Sequence, residues 1–382
     1  MKSAIIIGAG PAGLACAAML KSEGIAVSIV EKGATLCPVW HNHYDRLHLH
    51  TDKSHSCLPG YPMPADFPKY PSKSQVIEYC EKYARHFGLE PIFDCVVKSV
   101  SRDDQWRVDT SHGPMTADMV VIAAGMASFP NRTSWPGLES FDGEIIHSSE
   151  YRNAIRFANQ RVLVVGFGNS GGEIALDLAE AKDEPRLSVR GPVNIIPREL
   201  LGIPILTISI LQQFLPYKIA DLVNKPVLRM VLGNTQKLGL KAPAKGPMAQ
   251  VVEDGKIPLL DIGTLAAIRK GNIQLRVGID RIKGSTVTFV DGSQEDFDAL
   301  ILATGYRPDL RYLISGMDHL LDGAGLPKQC GANSGQENLY FCSYRASPTG
   351  QLRQIGIEAM EIAATASATA VSGVTTTKAG QR

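Results

Sequence analysis

The sequence predicts an α/β protein made of two Rossmann-like dinucleotide-binding domains, with the second inserted into the first. Three observations predict it. A strand, a glycine loop, a helix and a second strand open the chain. The same order recurs from Arg161. Buried-strand patterns ending in glycine, at 119–125 and 299–305, follow the two units. The chain has 382 residues, 44% of them apolar and 20% charged. That is ordinary for a folded protein and excludes wholesale disorder. With 39 Lys and Arg against 38 Asp and Glu, the net charge is +1. The chain as a whole therefore offers no general pull toward nucleic acid or an anionic membrane.

The first unit starts at Ala4-Ile5-Ile6-Ile7 and continues as Gly8-Ala9-Gly10-Pro11-Ala12-Gly13, a helix pattern over 14–21 and a strand over 26–30 that ends at Glu31. The spacing is G-x-G-x-x-G with an acid 18 residues after the last glycine. The first glycine permits the tight turn, the second lets the backbone approach a pyrophosphate, and the third lets helix and strand pack closely. The helix N-terminus offers unpaired N–H groups and partial positive charge to the phosphates. Glu31 can accept from ribose hydroxyls, so this site suits FAD.

The second unit has a strand over 161–165, the loop Gly166-Phe167-Gly168-Asn169-Ser170-Gly171-Gly172, a helix pattern over 173–181 and a strand over 187–189. It ends at Arg190. An acid there would repel a 2′-phosphate, whereas an arginine pairs with it, so this site suits NADPH. The strand Ala299–Leu302, with Ala303-Thr304-Gly305-Tyr306 after it, is expected to return to the first domain, echoing Met119–Gly125. Thr304 and Gly305 are expected to lie against the nicotinamide cofactor or at the domain junction. The helix starting at Gln351 and Leu352 is expected to face the flavin pyrimidine, where negative charge gathers on reduction. The expected FAD set is completed by Lys32, Trp40 and Ala124. The resulting boundaries are 1–155 for the first part of the FAD domain, 156–298 for the NADPH domain, 299–363 for the return, and 364–382 for a flexible tail.

Three further features bear on function. His41, His43, His48, His50 and His55 crowd one segment. Their H-x-H spacing suits a strand and no carboxylate–cysteine set accompanies them, so a flavin-proximal role for one histidine is preferred and no metal is expected. Phe141–Tyr151 reads F-x-G-x-x-x-H-x-x-x-Y. His147 within it is expected to organise the junction from behind the reacting atoms. An apolar insertion at about 200–247 is too short and too punctuated to span a bilayer. It either roofs an apolar pocket or offers a patch to a membrane surface or partner subunit. The roof is preferred because ligand sites favour domain junctions. The residues 337–343, E-N-L-Y-F-C-S, read as a strand-like part of the fold.

The seven cysteines are odd in number and none are spaced C-x-x-C, which argues against a disulfide framework, a zinc ribbon and a dithiol centre. With the first strand beginning within five residues of Met1, no signal peptide is expected. A cytoplasmic protein is the resulting expectation, with no nucleic-acid partner, no transmembrane segment and room for a homo-oligomer.

The two glycine fingerprints, the motif at Phe141–Tyr151 and the A-T-G-Y at Ala303–Tyr306 resemble the class B flavin-dependent monooxygenases. Within these the chain looks most similar to the YUCCA-type enzymes. The segments that carry this are 44–50, 67–73, 196–199 and 259–264. The resemblance implies FAD, NADPH and O2, a C4a-(hydro)peroxyflavin, and oxidative decarboxylation of an aromatic 2-oxo acid such as indole-3-pyruvate. It places His50 near the reacting oxygen, where many relatives that oxidise nitrogen or sulfur carry Asn. N- or S-oxygenation, Baeyer–Villiger insertion and a non-oxygenating flavin reductase stand as alternatives. The stretch 347–352 departs from the plant pattern and points to a bacterial-type relative.

Overall fold

The computed structural model describes residues 2–127 and 129–375. The apolar, β-branched run at Ile5–Ile7 forms a buried strand, Ser3–Ile7, at the inside of a four-stranded parallel sheet. Its neighbours are Ala26–Val30 on one side (Ile5 opposite Ser28) and Met119–Ile122 on the other (Ile5 opposite Val120). Leu339–Phe341 completes this sheet beyond Met119–Ile122. A second, five-stranded parallel sheet runs in the order Gln274–Arg276, Arg186–Ser188, Val162–Val165, Ala299–Leu302, Glu144–His147.

The two halves repeat one plan. In each, the strand–loop–helix–strand unit is followed by a three-stranded antiparallel meander, Val97–Arg102 to Gly113–Ala117 in the first and Ile279–Lys283 to Gln294–Asp296 in the second. Each meander leads into a four-residue strand buried throughout, Met119–Ile122 or Ala299–Leu302. Pro11 opens the first fingerprint helix, Pro11–Ser22, where its missing N–H has no intrahelical acceptor to lose. The helix Lys73–Phe87 covers the first domain. It starts in a reciprocal Ser72–Gln75 capping box and ends at Gly88 with φ 57°.

Three expectations need correction. The strand 299–302 does not return to the first domain. Leu302 pairs with Val165 on one side and His147 on the other, so 144–147 and 299–302 both belong to the second sheet. An all-apolar strand is compatible with either sheet, and register alone decides which one receives it. The first sheet is regained only at 339–341. The segment at 364–375 is not a loose tail but part of a helix, Gln351–Thr375. Ala359, Ile362, Ala363 and Ala366 are buried with Ala15 and Ala18 of the first fingerprint helix in one core, and Ser367 donates to Glu23 at 2.7 Å. Its small side chains are what let two helices approach closely, so the Ala-rich composition marks packing rather than fraying. Residues 376–382 lie outside the described residues. The histidine-rich segment is not a strand: His41 ends the short helix Pro38–His41, His55 ends the single 3-10 turn Lys53–His55, and the chain between them is paired only through the bridge His48–Ser72.

The apolar insertion folds as helices Ile205–Leu211, Tyr217–Leu232 and Pro247–Asp254. Among the described residues no helix is long and apolar enough to cross a membrane.

Ala359 has no exposed surface at the crossing with the first fingerprint helix. Ala359→Leu should overpack it and lower stability by about 1–3 kcal/mol, measured by urea denaturation.

Candidate active site between two glycine loops

The two fingerprint loops are built by backbone contact. Gly8 (φ 109°) sits where a Cβ would lie 2.5 Å from the carbonyl oxygen of Ala123, and Gly166 (φ 108°) where one would lie 2.6 Å from that of Ala303. The third glycine of each loop seats on the first: a Cβ on Gly13 or Gly171 would fall 1.8 or 1.9 Å from the carbonyl oxygen of Gly8 or Gly166. Gly10 and Gly168 differ. A Cβ at either meets nothing within 4 Å, and both have negative φ. The space beside them is open, and it lies over the first-turn N–H groups of the helices Pro11–Ser22 and Asn169–Glu180. Each loop thus fits a pyrophosphate: closed where the fold needs closure, open where a ligand needs approach.

Glu31 is buried at the end of its strand. Its Oε2 accepts from Ala9 N–H and its Oε1 from Gly33 N–H, both at 2.8 Å. The acid thereby fixes the first loop while its remaining lone pairs stay available to a ribose. Lys32 beside it is exposed, and Trp40 packs partly buried against the first core. Arg190 lies two residues past the corresponding second strand, Arg186–Ser188. Its guanidinium has no hydrogen bond or ion pair among the described residues, and its stem packs over Gly278. Asn169 also braces its own loop. Its amide accepts from Leu260 N–H at 2.8 Å and donates to the Pro258 carbonyl at 3.3 Å, tying the loop to 258–260. Phe167 is buried in the second core and Ser170 lies partly buried in the helix start.

The junction is stapled around 303–306. His147 is fully buried and burial holds its pKa below the ordinary histidine value. Ser149 N–H donates to its Nδ1 at 3.2 Å, so Nε2 carries the proton and donates to the Gly305 carbonyl at 3.0 Å. Tyr306 packs edge-on to the ring, 5.2 Å between centroids. Asn131 donates from its backbone to Gly305 and from its amide to Thr304. His147, Thr304 and Gly305 therefore form one junction network. In the first domain Ala124 N–H donates to the buried Tyr344 hydroxyl at 3.1 Å.

A pocket opens where the domains and the insertion meet. Its apolar wall includes Ile196, Leu206, Ile208, Val227, Leu228 and Leu260, and its polar edge includes His50, Thr51 and Gly350. Gly350 (φ 92°) precedes Gln351, so the C-terminal helix begins at the pocket rim. Gln351 itself donates to Ser343 at 3.1 Å, and Leu352 is buried in the first core. The five clustered histidines separate: His48 bonds the Arg46 carbonyl, His55 the Thr207 hydroxyl, and His50 reaches across the junction. His50 Nε2 lies 2.5 Å from Oε1 of Glu173, a buried carboxylate in the second fingerprint helix.

Glu173 is the residue that sequence reasoning missed. Helical periodicity reads it as an ordinary early-helix acid, and only the neighbouring domain reveals its burial. Burial, then the nearby Glu173, pushes the Tyr44 phenol up, and burial pushes His43 down. Asp52, beside His50 in the chain, is also buried and keeps Oδ2 unpaired among the described residues.

The family model for flavin-binding monooxygenase-like proteins matches residues 1–323. A probable indole-3-pyruvate monooxygenase, YUCCA4 of Arabidopsis thaliana, is 38% identical over 347 residues, covering 89% of this chain and 84% of the relative. The indole-3-pyruvate monooxygenase YUCCA1 of Oryza sativa subsp. japonica is 37% identical over 349 residues, covering 89% and 86%. Among solved structures, a flavin-containing monooxygenase from Stenotrophomonas maltophilia superposes with a TM-score of 0.74 at 22% identity, over 97% of this chain and all of that one, a likeness of fold.

Gly13→Ala should cost more than about 3 kcal/mol of stability, because its Cβ meets backbone. Gly10→Ala should change the stability of the cofactor-free protein by less than about 0.5 kcal/mol yet abolish FAD retention, read from denaturation and from flavin absorbance. His147 supplies a pH dependence. Its folded pKa lies below the unfolded one, so the unfolded chain binds the proton first and stability falls as pH drops below about 6.5. His147→Gln should flatten that slope in denaturation midpoints measured across the range, with the share of His43 remaining.

Proposed function

The chain belongs to the flavin-binding monooxygenase-like family, and on that premise we propose that it uses NADPH and O2 to decarboxylate an aromatic 2-oxo acid oxidatively, indole-3-pyruvate being the substrate named for its relatives. The observation that carries this reading is the pocket, apolar on its roofed side and polar at His50, whose ring reaches Glu173 in the second fingerprint helix. An indole ring suits such a wall. When bound, FAD supplies the two-electron chemistry that joins NADPH oxidation to oxygen activation.

The chain's own residues do the rest. The first cradle, with Gly8, Gly10, Gly13 and Glu31, holds the flavin dinucleotide. The second, with Gly166, Gly168 and Gly171, holds the nicotinamide dinucleotide. The unpaired guanidinium of Arg190 takes the 2′-phosphate. The inward side chains of the roof, Leu206, Ile208, Val227, Leu228 and Val251, keep water from the reacting atoms, as oxygen transfer requires. His50 donates from Nε2–H to Glu173, which fixes the ring at the edge of the pocket. The seven cysteines are free thiols, which supports a reducing, cytoplasmic setting. Product analysis tests the reading: indole-3-pyruvate should give indole-3-acetate and CO2 with NADPH consumed in step. NADPH consumption yielding only hydrogen peroxide with this substrate would overturn it.

Arg190→Ala should weaken NADPH by about 1.5–3 kcal/mol, the worth of one charge-assisted pair, with NADH nearly unaffected. The NADPH/NADH ratio of kcat/KM checks this. His50→Ala should divert NADPH oxidation to hydrogen peroxide at an unchanged flavin reduction rate, read as product formed per NADPH.

A further inference from the structure

The insertion has a second, outward face that the pocket does not use. Along the helix Tyr217–Leu232, Ala220, Asn224, Val227 and Leu228 turn inward, the last three lining the pocket. Ile219, Leu222, Val223, Pro226 and Met230 recur at helical spacing on the opposite side and are exposed. Leu222 is 71% exposed and Met230 79%. At the turn before this helix Phe214 is 86% exposed, and Leu211, ending the preceding helix, 72%.

Charge lies beside this stripe. Lys218, Lys225 and Arg229 each precede a member of the stripe, at 219, 226 and 230, so a basic row runs alongside it about 100° round the helix. All three are exposed, and among the described residues none closes an ion pair within 4 Å, though Lys218 is near enough to help lower the Glu253 pKa. Over 205–254 the chain holds six Lys and Arg and three acids, Asp221, Glu253 and Asp254. Asp221 turns in to accept from Met248 and Ala249 N–H, and Lys245 pairs with the other two. Three net positive charges thus sit on this one segment of a chain whose total is +1.

We propose that this face docks on an anionic phospholipid bilayer surface, with Leu211, Phe214, Leu222 and Met230 entering the interface and Lys218, Lys225 and Arg229 meeting lipid phosphates and carboxylates. An apolar stripe flanked by cations on a helix lying in the surface plane is the arrangement such a surface selects. A second copy packed by this face would set like charges against each other, whereas an anionic bilayer offers acyl chains and negative headgroups side by side. Docking leaves one helix between the lipid and the pocket wall.

The test is co-sedimentation of the FAD-loaded enzyme with vesicles of phosphatidylcholine, with and without phosphatidylserine. The wild type should pellet with the phosphatidylserine vesicles and be released by salt. The triple variant Lys218→Glu, Lys225→Glu, Arg229→Glu should lose about a hundredfold or more in partitioning, at about fivefold for each cation removed. Phe214→Ser with Leu222→Ser and Met230→Ser should also lose binding. These side chains face solvent, so flavin content and NADPH oxidation should match the wild type and exclude misfolding. Absence of vesicle binding at low salt, or equal binding by the charge-reversed variant, overturns the proposal. Light scattering that shows a dimer dissolved by the same substitutions, with no vesicle binding, overturns it in favour of a second copy.

Discussion

Two backbone contacts govern this structure: Gly8 against the carbonyl of Ala123, and Gly166 against the carbonyl of Ala303. Each seats a fingerprint turn on the strand that crosses behind it, at a distance no side chain permits. Once seated, each turn aims a helix N-terminus at the open space beside Gly10 or Gly168. The chain meets this constraint twice, with the same four-part solution: glycine turn, helix, meander, buried strand ending in glycine. Two glycine cradles of matched design follow from one geometric requirement.

The work of the junction is to hold these cradles in one relation. It is done by polar groups that are buried and satisfied, which specify geometry more sharply than apolar contact does. His147 in its neutral form ties the second sheet's edge to Gly305, and Asn131 ties the crossing chain to Thr304 and Gly305. His50 and Glu173 close the side facing the pocket. The pocket then takes its apolar wall from an insertion that belongs to neither repeat. The two repeats thus supply the frame, and the insertion supplies the wall.

What could be read from the residues follows from the range of the forces involved. The glycine loops, Glu31 and Arg190 are legible because their spacing is local: a turn, a helix start and a strand end fall within about thirty residues, the size of a βαβ unit. The sheet receiving 299–302 is not legible, since Ala-Leu-Ile-Leu satisfies any buried parallel site and its partners lie more than a hundred residues away. The helical character of 364–375 is obscured because its Ala, Ser and Thr residues imitate a loose end until the Ala-rich helix they pack against is known. The tie from the Asn169 amide to 258–260 carries no local mark either, since its partners lie about ninety residues on. Glu173 carries no local mark at all, because what makes it matter is a histidine 123 residues earlier. The insertion was readable as apolar, but an apolar pattern is the same whether it faces a pocket or solvent, and this helix does both.

The measurement that bears most directly on the two-cradle account is the visible spectrum of the purified protein titrated anaerobically with NADPH. A flavin band that stays with the protein through gel filtration, bleaches on NADPH addition and returns when air is admitted is the predicted result. A protein that remains colourless after incubation with FAD, or one whose yellow band ignores NADPH, would contradict it.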